Sequence, residues 1–287
     1  MKNENPLLIG KSQDTYMLTS EPSGFMNTLD TYILLRDKTY GYITNNNIKI
    51  YGEYKELNLI KSNIDDIKLD NYDTWMLKEI HDQTKLLVLQ DPVNNTPRYD
   101  GNNVLLNIDG IKSCKYLYII ACGSSYYAGL IASNYFRYTK AFEFVNVFDG
   151  GEFTKAHLEA INNPEDNLLI VLISQSGETR DLNLATTICR EYSSNRKNKL
   201  EPNKLLNKSD SWFTQSNTNS NNNGEIKIIG IINVIGSLIS RRTLHNIYTN
   251  CGRENAVAST KSCTSQILAC LLLVIYKAEL NNVLKTR

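Results

Sequence analysis

Within six residues, Ser174-Gln175-Ser176-Gly177-Glu178-Thr179, the chain gathers three hydroxyls, an amide and a glycine. The stretch ahead of them, Asn167 to Ile173, is an unbroken apolar run of the kind shown by a strand buried on both faces. Behind them, Asp181 to Ile188 repeats its apolar residues at helical spacing. The six residues therefore read as the turn from a buried strand into a helix. A helix start leaves backbone N–H groups unpaired and carries partial positive charge, so it suits an anion. Ser174, Ser176 and Thr179 can add hydroxyls around a phosphate there without any lysine. The same residue types are ordinary helix caps, and taken alone the turn fits either role.

A second junction of the same design lies upstream. Tyr116 to Ala121 reads as a buried strand, Cys122-Gly123-Ser124-Ser125 as its turn, and Tyr126 to Tyr138 as the following helix. Two anion-shaped turns argue for a phosphate more strongly than either alone. Cys122, beside a glycine, invites a nucleophile reading, against which a small buried residue at a strand end is the simpler account. Glu178 is either a base or a first-turn acid matched to the helix dipole. His81 reads as a surface or interface histidine.

Other elements must position these turns. Phe144 to Phe148 reads as a strand ended by Gly150-Gly151, followed by a helix near Phe153 to Ala160. Ile226 to Val234 and Asn246 to Thr249 read as strands, with a short helix around Leu238 to Arg241 between them and a long one from about Thr260 to Leu280. Strands alternating with helices predict an α/β fold, a doubly wound, flavodoxin-like parallel sheet of five strands with ligands at its carboxyl edge. An Asn-, Ser- and Lys-rich segment at about 193–225 is expected to be a disordered surface insertion. Upstream, Asp73 is expected to cap a helix through Trp75 to His81, followed by a loop with Pro92 and Pro97. Residues 1–70 hold short β segments, including a hairpin of Tyr40 to Thr44 and Ile48 to Tyr51 around Asn45-Asn46-Asn47. They are too few for a convincing independent domain and read as an incomplete β-rich remnant. The expected organisation is thus 1–70 remnant, 71–110 linker helix and loop, and 111–287 ligand-binding α/β domain.

The 287 residues with 41% hydrophobic content can build a substantial core, and a net charge of +1 argues against a nucleic-acid partner. Six cysteines without a C-x-x-C pair, mostly in apolar surroundings, suggest a reducing compartment and no zinc site. The first residues lack a signal-peptide pattern, and the most apolar stretch, Ile267 to Tyr276, is too short to span a bilayer. The expectation is a cytoplasmic protein without a membrane partner.

Ala121-Cys122-Gly123-Ser124-Ser125-Tyr126-Tyr127-Ala128-Gly129, the 174–179 turn and Val257-Ala258-Ser259-Thr260-Lys261 together closely resemble the first sugar isomerase (SIS) domain of the glutamine–fructose-6-phosphate aminotransferases, which make glucosamine 6-phosphate. Leu77-Lys78-Glu79-Ile80 resembles the segment leading into that domain, and the 1–70 region the tail of the family's glutaminase domain. The resemblance implies that Ser124, Ser125, Ser174, Gln175, Ser176 and Thr179 hold the phosphate of fructose 6-phosphate or glucosamine 6-phosphate. It implies that Val257, Ala258 and Ser259 line the sugar. It implies general acid/base chemistry without metal or cofactor, a role in amino-sugar synthesis, and a homodimer or association with the glutaminase and second SIS segments.

Departures from the family bear on activity. The family's glutaminase attacks glutamine with a cysteine at its mature N-terminus; this sequence begins Met1-Lys2 with no cysteine before Cys114, so ammonia generation by this chain alone is not expected. The family's catalytic Glu, His and Lys lie mostly in the second SIS domain and have no counterparts here, so no catalytic residue is assigned. Asn255-Ala256 replaces an apolar residue and a glycine, and Ala256 would be strained if that turn needs positive φ. Gly150-Gly151 replaces a stiffer pair. Lys261 is expected to pair or pack locally. Two alternatives stand beside an incomplete aminotransferase. One is a non-catalytic sugar-phosphate-sensing module. The other is a stand-alone phosphosugar isomerase, for which Glu178, Glu254 or His157 would have to be the base.

Overall fold

The computed structural model describes residues 7–12, 15–20, 22–25, 28–44, 47–59, 69–86, 110–161, 166–200, 224, 226–243 and 245–283. The N-terminal stretches form short antiparallel strands: β1 (Leu8–Ser12), β2 (Thr15–Thr19), β3 (Thr31–Leu35), β4 (Tyr40–Ile43), β5 (Ile48–Tyr51) and β6 (Tyr54–Asn58). Four make a sheet in the order β2-β1-β3-β6 over a small core of Leu8, Phe25, Leu29, Tyr32 and Leu59. The expected hairpin is β4 with β5, where Tyr40 stacks on Tyr51; its turn residues Asn45 and Asn46 lie outside the described residues.

Helix α1 (Trp75–Leu86) begins one residue later than an Asp73 cap requires. Thr74 takes the role instead: its Oγ1 accepts the Leu77 N–H at 3.2 Å, the reach an N-cap side chain has to the third helical residue. The buried stripe of α1 is Lys78, Glu79, Asp82 and Leu86, while Met76, Leu77 and Ile80 are exposed. His81 is exposed and stacks on Tyr72. The Pro92 and Pro97 loop lies outside the described residues.

The chain then alternates strand and helix: β7 (Cys114–Ala121), α2 (Ser124–Tyr138), β8 (Phe144–Asp149), α3 (Lys155–Glu159), β9 (Asn167–Ser174), α4 (Arg180–Leu200), β10 (Ile226–Ile232), α5 (Leu238–Arg242), β11 (His245–Tyr248) and α6 (Lys261–Leu280). The five strands form one parallel sheet in the order β11-β10-β9-β7-β8. Both faces are covered, so successive strand residues enter different cores. Leu117, Ile119 and Ala121 meet Ala132 and Phe136 of α2 and Ala269 and Leu273 of α6. Tyr118 and Ile120 meet Leu158 of α3, Leu182 and Ala185 of α4 and Ile239 of α5. Each such fully buried aliphatic side chain contributes about 1.5–3 kcal/mol, which makes this sheet the stable centre of the chain. Tyr32 of the N-terminal sheet lies beside Arg241 of α5; burial raises its phenol pKa and Arg241 pulls it back.

Two expectations change. Helix α4 runs to Leu200, so it continues into the segment read as a disordered insertion from about 193; residues 201–223 lie outside the described residues. Arg196, Lys197 and Lys199 are good helix formers, and extending an existing helix needs no new nucleus. Helix α6 spans 20 residues and is, among the described residues, long and apolar enough to cross a membrane by length and composition. Here it packs along α2, α1 and β10 and buries Lys261, Gln266 and Lys277. Lys277 Nζ donates to the carbonyls of Ile111, Lys112 and Cys114 at 2.8, 2.9 and 3.1 Å and lies 4.8 Å above the Phe142 ring. Burial pushes this ammonium down to about 8.

Candidate functional site

Read from one edge, the sheet order is that of a flavodoxin-like fold, with the first strand, β7, between the second, β8, and the third, β9. The chain leaves β7 toward one edge and returns to its other side, so the helices following β7 and β9 diverge and open a crevice at their carboxyl ends. Ala121 pairs with Ile173, which brings the turns Cys122 to Ser125 and Ser174 to Thr179 side by side at that crevice. Two stretches about fifty positions apart in sequence thus share one site.

Each turn depends on a glycine. Gly123, before the first residue of α2, has φ 58 and ψ −133, with open space where a Cβ would be. Its requirement is purely conformational, because an L side chain is strained there. Gly177 has φ 68, and a Cβ on it would meet Ser237 Oγ at 2.0 Å. Conformation and space both exclude a side chain.

The candidate ligands occupy distinct positions around these glycines. Ser124 is exposed at the first position of α2 and Ser125 is buried behind it. Ser174, 2% exposed, holds its own turn closed: Oγ accepts the Gly177 N–H at 2.9 Å and shares a hydrogen bond with Thr179 Oγ1 at 3.0 Å. Ser176 Oγ accepts the Glu178 N–H at 3.1 Å, and the Gln175 carbonyl accepts the Asn233 N–H at 3.2 Å. Ser176, Gln175 and Thr179 remain partly exposed. The result is a hydroxyl-lined turn at a helix start, where an anion meets unpaired N–H groups and the positive end of the dipole.

The third motif arrives at the same corner. Helix α6 packs along α2, and Cys263 Sγ in its first turn donates to the Ser124 carbonyl at 3.8 Å. The loop into α6 carries Val257, fully exposed, Ala258, also exposed, and Ser259, whose Oγ shares a 2.7 Å hydrogen bond with Ser262. Ala256 does not have positive φ, so replacing the family's glycine there brings no strain; Asn250 and Gly252 take the left-handed positions of this loop. Gly150 earns its place by proximity, since a Cβ would meet Cys122 Sγ at 2.7 Å.

The groups weighed as bases are committed to helix ends. Glu178 Oε1 accepts the Leu238 N–H at 2.8 Å, so it serves the start of α5. Glu254 accepts the Thr260 and Ser262 N–H groups and both their hydroxyls, at 2.5–3.3 Å. His157 Nδ1 accepts the Thr154 N–H at 3.0 Å, and its ring stacks on Phe153. Burial pushes the Cys122 thiol up, against the Gly150 N–H, which disfavours a thiolate. Lys261 is buried and lies 3.9 Å from Asp82. Among the described residues no group of three or more His, Cys, Asp or Glu side chains could hold a metal ion.

Sequence reasoning missed two residues that brace this site. Asn233, at the end of β10, accepts from Thr249 Oγ1 and the Cys251 N–H and donates to the Gly252 carbonyl at 2.8 Å. Glu79, 1% exposed, accepts the N–H groups of Asn255 at 2.5 Å and Ala256 at 3.1 Å. The available signal was an acid placed on the inward stripe of α1, with its partner about 176 positions away.

Comparison with known proteins agrees with this geometry. The model of the SIS domain family matches residues 110–194 and 214–276. A probable glutamine–fructose-6-phosphate aminotransferase of Acanthamoeba polyphaga mimivirus is 32% identical over 96% of this chain, and the Clostridium tetani aminotransferase of that name is 28% identical over 97%. The chain spans 40% and 41% of those relatives' lengths. Among solved structures, the C-terminal domain of glucosamine-fructose-6-phosphate aminotransferase from Francisella tularensis superimposes with a TM-score of 0.50 at 26% identity, covering 76% of this chain and 51% of that one. With the family match falling on the strands and turns that form the crevice, the chain belongs to the SIS domain family.

Proposed function

We propose that this chain is the sugar-phosphate-binding part of a glutamine–fructose-6-phosphate aminotransferase and takes fructose 6-phosphate or glucosamine 6-phosphate at the crevice between β7 and β9. The observation that carries the reading is the pairing of two hydroxyl-rich helix starts at the topological switch point. Ser124, Ser125, Ser174, Gln175, Ser176 and Thr179 surround the phosphate, neutral donors that leave the reacting end of the sugar free. Val257, Ala258 and Ser259 face the sugar. In the full reaction ammonia adds at the ketone and a proton moves between adjacent carbons to give the aldose, work for general acid/base groups. Because Glu178, Glu254 and His157 are held at helix ends, that work falls to groups outside this chain. A glutaminase segment, a second SIS segment or a second copy of the chain would complete the sites.

Calorimetric titration with both sugar phosphates, beside an assay with glutamine or ammonia, tests this. The expected result is binding without turnover. Ser174→Ala/Thr179→Ala should weaken it about 100-fold, since each lost hydrogen bond to a charged group is worth about 1.5 kcal/mol or more. Absence of binding in the unaltered chain overturns the reading, and turnover by this chain overturns its incompleteness. The committed carboxylates also suit a non-catalytic sugar-phosphate-sensing module. Mixing the chain with glutaminase and second SIS segments separates the two readings, because only the first predicts that turnover appears.

A further inference from the structure

The loop from Thr249 to Thr260 has no helix or strand of its own, yet side chains from two other places and one of its own fasten it. Asn233 holds its beginning, at Thr249, Cys251 and Gly252. Glu254 holds its end, at Thr260 and Ser262. Between them, Glu79 of α1 takes the N–H groups of Asn255 and Ala256 on one oxygen, and its other oxygen lies 3.5 Å from Thr260 Oγ1. The fastening stops on either side of Val257 and Ala258, which stay exposed.

We infer that Glu79 is a positioning residue for sugar recognition, holding the 255–259 loop in the shape that presents Val257, Ala258 and Ser259. The inference rests on the proposed function, which gives those three residues to the sugar. Glu79 lies outside the span matched by the SIS family, which begins at residue 110, so the domain borrows this support from the helix preceding it.

The chemistry favours a carboxylate. Two backbone N–H groups converge on one point, and a loop N–H left unpaired away from water costs most of a hydrogen bond. A charged acceptor satisfies both and strengthens each. Glu79 is itself held in register. Its helix is tied to α6 by Gln83 Oε1, which accepts from Thr264 Oγ1 at 2.5 Å, and by Asp82 near Lys261. Lys78, on the same stripe, pairs with Asp70 at 2.7 Å and lies 3.6 Å from Asp82. The loop therefore meets a rigid partner, and a ligand loop ordered in advance loses less entropy on binding.

This predicts a split between the two ends of the ligand. The hydrogen bonds of Glu79 go to the 255–260 stretch, so inorganic phosphate probes the phosphate turns alone, whereas fructose 6-phosphate probes turns and loop together. In the full chain, Glu79→Ala should weaken fructose 6-phosphate by about tenfold or more, and inorganic phosphate by less than about twofold. Glu79→Gln, which keeps an acceptor of the same shape, should fall between. Hydrogen exchange should show Asn255 and Ala256 losing protection in Glu79→Ala, with the β7 and β9 amides unchanged. Equal weakening of both probes, or unchanged fructose 6-phosphate affinity while the two amides exchange fast, overturns the inference. If Glu79→Ala does not fold, Glu79→Gln decides by the same two titrations. Unaltered chain that binds fructose 6-phosphate while the variants bind it equally well defeats this inference alone. Unaltered chain that binds neither probe defeats the proposed function as well.

Discussion

Replacing Gly177 by alanine separates two costs that the structure assigns to one position. The first is conformational: at φ 68 an L residue sits in the left-handed region, at roughly 1–2 kcal/mol. The second is spatial: the new Cβ would lie 2.0 Å from Ser237 Oγ and 2.6 Å from Ser237 Cβ, backed by Ile232 Cγ2 at 3.0 Å. Overpacking of this kind costs about 1–3 kcal/mol. Gly177→Ala should therefore destabilise the protein by about 2–5 kcal/mol in urea unfolding. Ser237→Gly removes both of the closest clashing atoms. Ser237 precedes α5 without a side-chain capping bond, and its buried Oγ has no hydrogen-bond partner, so the change alone should cost only a few tenths of a kcal/mol. The Gly177→Ala/Ser237→Gly double variant should recover the spatial part and retain about 1–2 kcal/mol. As a control, Gly123→Ala has no clash to relieve, so Ser237→Gly should simply add to it. A double variant as unstable as Gly177→Ala would refute the steric account. A Gly177→Ala cost below about 0.5 kcal/mol would refute the left-handed turn itself.

Lys277 makes stability depend on pH. Its folded value of about 8 lies below the ordinary 10.5, so between those values the unfolded chain binds more protons and stability rises with pH. The contribution is complete above about 10.5 and lost as pH falls through 8, at most about 3 kcal/mol in all. Lys277→Met should lack this part of the slope when urea midpoints are compared at about pH 7.5 and 9.5; parallel slopes would show that the ammonium is not penalised by burial. Glu178→Gln should cost about 1 kcal/mol by weakening the bond to the Leu238 N–H at the start of α5. Fructose 6-phosphate affinity should stay within about twofold. A large loss of affinity with stability unchanged would return Glu178 to the site.

Much of this fold is local information and was legible in the sequence. Strands buried on both faces read as apolar runs, so β7, β9 and β10 stand out as Tyr116 to Ala121, Asn167 to Ile173 and Ile226 to Val234, the last of these running two residues past the strand itself. The alternation with helices implied the parallel sheet, and the two hydroxyl turns marked strand ends because Gly, Ser and Thr have fixed roles where a strand becomes a helix. Helix ends were less legible. Thr74 displaced Asp73 as a cap, and α4 outran its apolar pattern, because helix boundaries rest on small differences between neighbouring residues.

What a side chain does depended on partners far along the chain. Glu178 looked like a base or a dipole partner from its neighbours alone, yet its acceptor role was set by Leu238, 60 positions away. Glu254 and His157 were bases only while their hydrogen bonds to helix ends were unknown. Lys277 sat in an apolar stretch with nothing to show that three carbonyls would receive it. The sequence alone determined which segments are strands, which turns carry hydroxyls and where glycine stands, because these follow from periodicity and backbone preference over a few residues. Only the tertiary structure decided that β7 and β9 are neighbours, that their turns share a crevice, and that Glu79 reaches the 255–256 backbone. Strand order and long-range hydrogen bonds depend on how the whole chain buries its apolar faces and satisfies its polar groups together.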